Sequence, residues 1–263
     1  SEGYTSSGNP LYEVSYVRDV LGRITDRTEL VDGVSTAYQY HYNASDRLDE
    51  VYENGNLVSR YNYDINGNRI GHEDYRDNAS TVDNGAFDLQ DRMTSYGNTA
   101  DGYTSYAYTA NGELESKTLN GDVTDYDYDV FGNLRSVDLP DGKMIDYIID
   151  GANRRVGKKV NGVLTQGFLY QDALKPIAEL DGSNNVVSRF VYGTKYNVPD
   201  YLVKGGVAYR IISNHLGSPV LVVDATTGAV AQKITYDEFG NVLSDSNPGF
   251  QPFGFAGGLY DRD

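Results

Sequence analysis

Aromatic and polar residues alternate along Thr124-Asp125-Tyr126-Asp127-Tyr128-Asp129. A period of two places both tyrosines on one face of a strand and the aspartates on the other. The adjoining Asp129-Val130-Phe131-Gly132 has Asp at the first and Gly at the fourth position of a type I turn. Asp accepts local backbone hydrogen bonds there, and Gly takes the left-handed conformation that folds the chain back as a hairpin. Residues 134–137 are the predicted return strand. Pro140-Asp141-Gly142 turns the chain again, and residues 144–149 begin the next unit.

The same text recurs. Tyr61-Asn62-Tyr63-Asp64-Ile65-Asn66-Gly67-Asn68 is one copy, and Tyr106-Ala107-Tyr108-Thr109-Ala110-Asn111-Gly112 is another. Together with Tyr126, Tyr128, Asp129, Gly132 and Asn133 these carry the signature, and Tyr236-Asp237-Glu238-Phe239-Gly240-Asn241 is a late copy. Looser copies start at Tyr40 (with Tyr42, Asn43, Asp46 and Arg47) and at Phe87 (with Asp88, Asp91 and Arg92). The second aromatic or its equivalent falls at 42, 63, 87, 108, 128, 149 and 170, a spacing of 20 to 24 residues. A fixed period of this size means an array of small identical units.

Between copies stand Asp32-Gly33, Asn54-Gly55, Asn120-Gly121, Asn161-Gly162 and Asp181-Gly182. Such dipeptides suit the primed two-residue hairpin turn, which needs positive φ twice. The predicted fold is therefore all-β: tandem antiparallel β-hairpins in one long curved sheet. Some twenty strands spaced ~4.8 Å apart make a ribbon about 100 Å long. The best helical stretch, residues 172–180, is interrupted by Pro176 and reads equally well as turn and strand. Residues 72–86 are polar and are expected to form an enlarged surface loop.

Composition refines this picture. The repeat runs through most of the 263 residues, so one body is expected, with tandem repeats over 1–165 and further hairpins over 166–263. There are 24 Tyr, 8 Phe and no Trp, so tyrosine must supply much of the core. Its ring is apolar but its hydroxyl wants a partner, which suits a semi-wet wall. A net charge of −16 argues against nucleic acid and anionic membranes. The acids are scattered through turns, without the alternating oxygen ligands of a calcium loop. Zero cysteine excludes disulfides and Cys-ligated metal. No apolar stretch approaches the ~20 residues of a spanning helix. No signal peptide is present, and the opening Ser1-Glu2-Gly3-Tyr4 reads as a cut into something longer.

No catalytic, metal or cofactor site emerges, and the chain is expected not to be an enzyme. His41, His72 and His215 are far apart and lack ligand spacing, and no Gly-x-Ser-x-Gly nucleophile elbow occurs. Gly205-Gly206 and Gly257-Gly258 lack the Lys and context of a phosphate loop. Asn43-Ala44-Ser45 and Asn78-Ala79-Ser80 fit the glycosylation triplet. A second binding reading is that Tyr106, Tyr108, Tyr126 and Tyr128 form an exposed platform on which sugar rings stack; the other is that they line a core or shell.

From about residue 166 the text changes, passing through Asn214-His215-Leu216-Gly217-Ser218-Pro219 to Phe253-Gly254-Phe255-Ala256-Gly257-Gly258-Leu259-Tyr260-Asp261. The repeats resemble the tyrosine–aspartate (YD) repeats of the rearrangement-hotspot (RHS) family. The final hundred residues are similar to the start of that family's core-associated segment. The resemblance implies a β-ribbon spiralling into a hollow shell, which encloses a toxic C-terminal polypeptide in bacterial members and serves adhesion in animal teneurins. It implies a secreted or cell-surface bacterial protein whose partners are the remainder of its own shell and an enclosed toxin. In toxin-bearing relatives the core segment continues into an aspartyl self-cleavage site; the motif that would make Asp261 or Asp263 catalytic is missing here. Unpaired strand edges at the ribbon ends are expected to promote self-association.

Overall fold

The fold was described from a computed structural model over residues 2–6, 8–76 and 81–262. The chain opens with β1 (Glu2–Ser6), β2 (Asn9–Arg18), β3 (Ile24–Val31), β4 (Val34–Tyr42), β5 (Leu48–Glu53), β6 (Asn56–Tyr63) and β7 (Arg69–Asp74). It continues through β8 (Thr81–Phe87), β9 (Met93–Asn98), β10 (Gly102–Tyr108), β11 (Leu114–Leu119), β12 (Asp122–Tyr128) and β13 (Leu134–Asp138). Then come β14 (Met144–Ile149), β15 (Arg155–Val160), β16 (Val163–Tyr170), β17 (Pro176–Asp181) and β18 (Val186–Val191). The last strands are β19 (Tyr201–Lys204), β20 (Val207–Ser213), β21 (Pro219–Asp224), β22 (Val230–Tyr236) and β23 (Val242–Asp245). A single 3-10 turn, Phe255–Gly257, is the one helical element among the described residues. The fold is all-β, in tandem antiparallel hairpins, as the alternation predicts.

Two compact units form. One comprises Glu13–Met144 with Ser1–Gly3, the other Ile145–Asp263 with Tyr4–Tyr12. Within the first, β3 to β13 pair antiparallel with their sequence neighbours, as at Tyr126↔Val137 and Tyr61↔His72. Its core cluster is Val51, Val58 and Tyr61. Within the second, β14 to β23 pair in the same sequential way. Its core cluster is Phe190, Leu202, Ile211, Val222 and Phe253, the last contributed by the segment after β23.

The two turn types alternate largely as predicted. At Asp129 the Gly132 N–H donates to the Asp129 carbonyl at 3.0 Å, and the Asp129 N–H to the Asn133 carbonyl at 3.0 Å. This is a type I turn closed by a left-handed residue, and it forces a bulge. The register shift falls at the second tyrosine in successive copies: His41/Tyr42, Asn62/Tyr63, Ala107/Tyr108, Asp127/Tyr128 and Leu169/Tyr170. In the looser copies Asp46 and Asp91 take the left-handed position usually given to Gly. Asn54-Gly55 and Asn120-Gly121 have positive φ at both residues, as a primed turn requires.

Two expectations need correction. Residues 72–74 and 81–86 are strand, not loop: β7 and β8 pair through Gly71↔Asn84 and His72↔Asp83. The polar text misleads because cross-strand charges satisfy it; Arg60 joins Glu50 at 3.0 Å and Glu73 at 3.5 Å across β5, β6 and β7. The triplet Asn78-Ala79-Ser80 lies outside the described residues. Asp181-Gly182 does not form a two-residue primed turn. It opens a longer one, with the Asn184 N–H bonded to the Asp181 carbonyl at 3.0 Å and Asn184 in the left-handed position. Residues 172–180 resolve as turn and strand, with Pro176 at the first position of β17, where a missing N–H is tolerated.

Candidate functional site

The signature aspartates are turn caps. Asp129 Oδ1 accepts from the backbone N–H groups of Phe131 (2.8 Å) and Asn133 (3.0 Å), and its Oδ2 accepts from Asn133 Nδ2 (2.8 Å). Asp64 takes the N–H groups of Gly67 and Asn68, both at 2.8 Å, and the Asn68 amide at 2.9 Å. Asp237 repeats the set with Phe239 (2.9 Å), Asn241 N–H (2.8 Å) and Asn241 Nδ2 (2.7 Å). In other copies Arg replaces Asn: Arg23 on Asp19, Arg92 on Asp88, Arg154 on Asp150. The side-chain donor four residues on, aided by the backbone N–H groups, holds the Asp64, Asp88, Asp129 and Asp150 carboxyls below the usual range. Asn43 plays the same part, its Oδ1 accepting from the N–H groups of Ser45 and Arg47.

The second tyrosine of a repeat locks onto the repeat before it. Tyr42 donates its hydroxyl to the Ile24 carbonyl at 2.8 Å, Tyr63 to Leu48 at 2.7 Å, and Tyr108 to Met93 at 2.7 Å. Tyr170 donates to Arg155 at 3.0 Å, and Tyr192 to Pro176 at 2.9 Å. Each acceptor directly follows the basic residue that ends the preceding turn. Where that residue is arginine it lies over the same ring, with Arg23 4.5 Å from Tyr42, Arg47 5.7 Å from Tyr63, Arg92 5.1 Å from Tyr108 and Arg154 5.3 Å from Tyr170, whereas Lys175 lies over Tyr196 at 4.2 Å. Burial pushes the Tyr42, Tyr63, Tyr108 and Tyr170 hydroxyls above the usual phenol range, keeping them protonated as donors. Tyr236 breaks the series: its buried hydroxyl finds no hydrogen-bond partner among the described residues, and its ring packs 6.1 Å from Phe255.

The first tyrosines share this face. Tyr61 is buried and stacks on His72 with centroids 4.8 Å apart, and Tyr40 stacks beside Tyr38 at 6.4 Å. In β10 and β12, Tyr106, Tyr108, Tyr126 and Tyr128 are half-buried, while Ser105, Ala107, Asp125 and Asp127 between them are exposed. His41 lies on β4 beside Glu50 at 3.5 Å, and His215 sits exposed at a turn tip.

In the second unit the tail residues 250–262 fold onto β18 to β22, and the C-terminal motifs meet there. The Phe253 ring meets Phe190 edge-on at 4.9 Å, and Phe250 meets Tyr209 at 5.0 Å. Val198, fully buried, wedges between Gly217 of the His-Leu-Gly-Ser turn and Gly257 of the tail. A Cβ at Gly257 would lie 2.5 Å from the Val198 methyl, and one at Gly217 2.9 Å. The Ala256 N–H donates to Ser218 Oγ at 2.9 Å, and Phe255 lies against Gly240. Asp200, also buried, accepts from Gly193 N–H (2.7 Å), Thr194 N–H (2.7 Å) and Thr194 Oγ1 (2.6 Å), holding the loop that carries Val198.

Asp261 completes the docking. Its carboxylate accepts from Tyr147 Oη at 2.7 Å, pairs with Arg155 at 3.2 Å and contacts the buried ammonium of Lys158. Although burial opposes it, these donors together hold the Asp261 carboxyl below the usual range. A cleft of about 190 Å³ lies alongside, lined by Gln166, Glu179, Gln251 and Arg262 among others. Sequence reading missed Val198, Asp200 and Lys158. Only the apolar Val-Pro and the isolated Asp in residues 193–200 distinguish that loop in the text.

Teneurin-4 of Mus musculus is 29% identical over 259 residues, covering 95% of this chain and 9% of that protein. The tRNA3(Ser)-specific nuclease WapA of Bacillus spizizenii is 28% identical over 194 residues, 73% of this chain and 8% of that protein. The chain thus spans less than a tenth of the length of these relatives. Among solved structures, TcdB2-TccC3 without its hypervariable C-terminal region covers 97% of this chain and 19% of its own, at 11% identity and a TM-score of 0.39. The Photorhabdus luminescens Tc holotoxin pore gives 12% identity and a TM-score of 0.37, covering 95% of this chain and 18% of its own. The whole of residues 1–263 matches the Teneurin YD-shell family, and the chain belongs to it.

Proposed function

We propose that this segment of a YD shell is wall in a container for a polypeptide toxin, carried C-terminally in the same gene product and delivered from a secreted or cell-surface bacterial protein. The observation that carries the reading is the interlock of tyrosine hydroxyl and backbone carbonyl. It ties the repeats of Tyr42, Tyr63, Tyr108, Tyr170 and Tyr192 to those before them, while leaving a face of half-buried rings. Such a face holds a cargo without offering large apolar patches to bind it. The role is mechanical, with no chemical step assigned to this chain. No helix among the described residues is long and apolar enough to cross a membrane. The partners are the rest of the shell and its cargo.

Mass spectrometry of the natural gene product extended beyond residue 263, run beside its size-exclusion profile, tests this. Two co-eluting polypeptides cut downstream of this segment are expected. One intact polypeptide enclosing nothing overturns the toxin reading. It would favour an adhesive or glycan-binding surface using Tyr106, Tyr108, Tyr126 and Tyr128, to be sought by oligosaccharide soaking.

A further inference from the structure

The sequential hairpins of the first unit send their turns alternately to two edges, and the edges differ in chemistry. One carries Asp32-Gly33, Asn54-Gly55, Asn120-Gly121 and Pro140-Asp141-Gly142, which are small and polar. The other carries the six capped turns at 19–23, 43–47, 64–68, 88–92, 109–113 and 129–133; two tips bear only Ala44 and Ala110, and the other four present Val20, Leu21, Ile65, Leu89, Val130 and Phe131, all strongly exposed. The turn itself needs only its capping Asp and its left-handed fourth residue, so the fold makes no demand for apolar side chains at the tips. Single exposed apolar residues are ordinary, but a row of them on one edge marks an interaction surface.

Adjacent tips are also tied to one another. Arg23 reaches Asp46 at 2.6 Å, Arg47 reaches the Asp64 carbonyl at 2.7 Å, and Asn68 reaches Asp91 at 2.7 Å. These bridges preorganise the row and engage Asp46 and Asp91, though acids still outnumber bases in these turns and the edge stays net acidic, like the chain of net charge −16.

We infer that this row is a docking edge for a second array of the same repeat, supplied in solution by a second copy of this chain. Successive tips are two strands apart, about 9.6 Å, and the small alanine tips at 44 and 110 leave gaps among the larger ones, so the partner whose knobs fit this pattern is one with the same period. A two-fold arrangement makes the contact self-complementary. Six apolar side chains at about 120 Å² each remove roughly 700 Å² per partner, close to the ~800 Å² of a standard stable interface. The remaining negative charge opposes the contact, so salt strengthens it.

Analytical ultracentrifugation of the 263-residue chain from roughly 1 to 100 µM, at low and high salt, tests the inference. Self-association that tightens with salt is expected. The triple variant Ile65→Asp, Leu89→Asp, Phe131→Asp is expected to weaken it at least about tenfold, with circular dichroism unchanged because these tips contact no core. Asn120→Asp on the opposite edge serves as control and leaves it unchanged. A monomer throughout overturns the inference, and so does association indifferent to the tip charges, which would point to the unpaired strand ends. Flotation with neutral phosphatidylcholine vesicles that the triple variant abolishes, without self-association, assigns the row to a lipid surface and also overturns it.

Discussion

The two units solve the problem of a two-faced sheet differently. In 13–144 strands β4, β8, β10, β11 and β12 read largely as alternating half-buried and exposed positions, and the buried cluster is small. In 145–262 the strand β21 is buried from Pro219 to Val223, because the tail covers the face that the first unit leaves open. The contrast shows what a hairpin repeat supplies by itself. It links neighbours through caps and interlocks, so its stability is a chain of nearest-neighbour terms. A dry core requires a segment from outside the repeat.

The largest effect expected from this difference is at Phe253. Phe253→Ala empties the centre of the second unit's core and should cost ~3–5 kcal/mol, seen in chemical denaturation. Hydrogen exchange should rise across β18 to β22 while β4 to β12 keep their protection; uniform loss would show that the units are not separate in stability. Asp261→Asn leaves the Lys158 ammonium buried beside a neutral partner and should cost about 2–3 kcal/mol near neutral pH, less than a fully buried pair because Asp261 is partly exposed. The acid dependence follows from the depressed carboxyl. Its contribution is complete above its ordinary 3.8 and is lost as pH falls through the lower folded value. Protease resistance of the tail should therefore decline below that pH in the native chain, and the Asn variant should lack this component of the decline.

Gly257→Ala forces a side chain into the left-handed region and against Val198, and about 1–3 kcal/mol of tail docking should go, read by limited proteolysis after β23. The smallest effect separates the units from the other side. Tyr108→Phe removes one hydroxyl bond to the Met93 carbonyl and should cost ~1 kcal/mol. Faster exchange should be confined to β9 to β11. An effect reaching the second unit would contradict the nearest-neighbour account.

Much of the first unit was legible because its determinants are local. Tyr126, Tyr128, Asp129 and Gly132 specify face, cap and return within seven residues, and the period then propagates them. The interlock was not legible, since the acceptor of Tyr63 is the main-chain carbonyl of Leu48, a group every residue possesses. The charged strand β7 was misread for a related reason: Glu73 looks like loop until Arg60 is placed beside it by pairing.

The chain's own text settled the alternation, the two turn types, the repeat length and the family resemblance, because strand and turn chemistry act over a few bonds. Only the tertiary structure decided that Gly217 and Gly257 are there to admit Val198, and that Asp261 is a tail anchor on Lys158, Arg155 and Tyr147. Close packing and ion pairing depend on distances between segments that lie from about twenty to more than a hundred residues apart in the chain, which local periodicity does not encode.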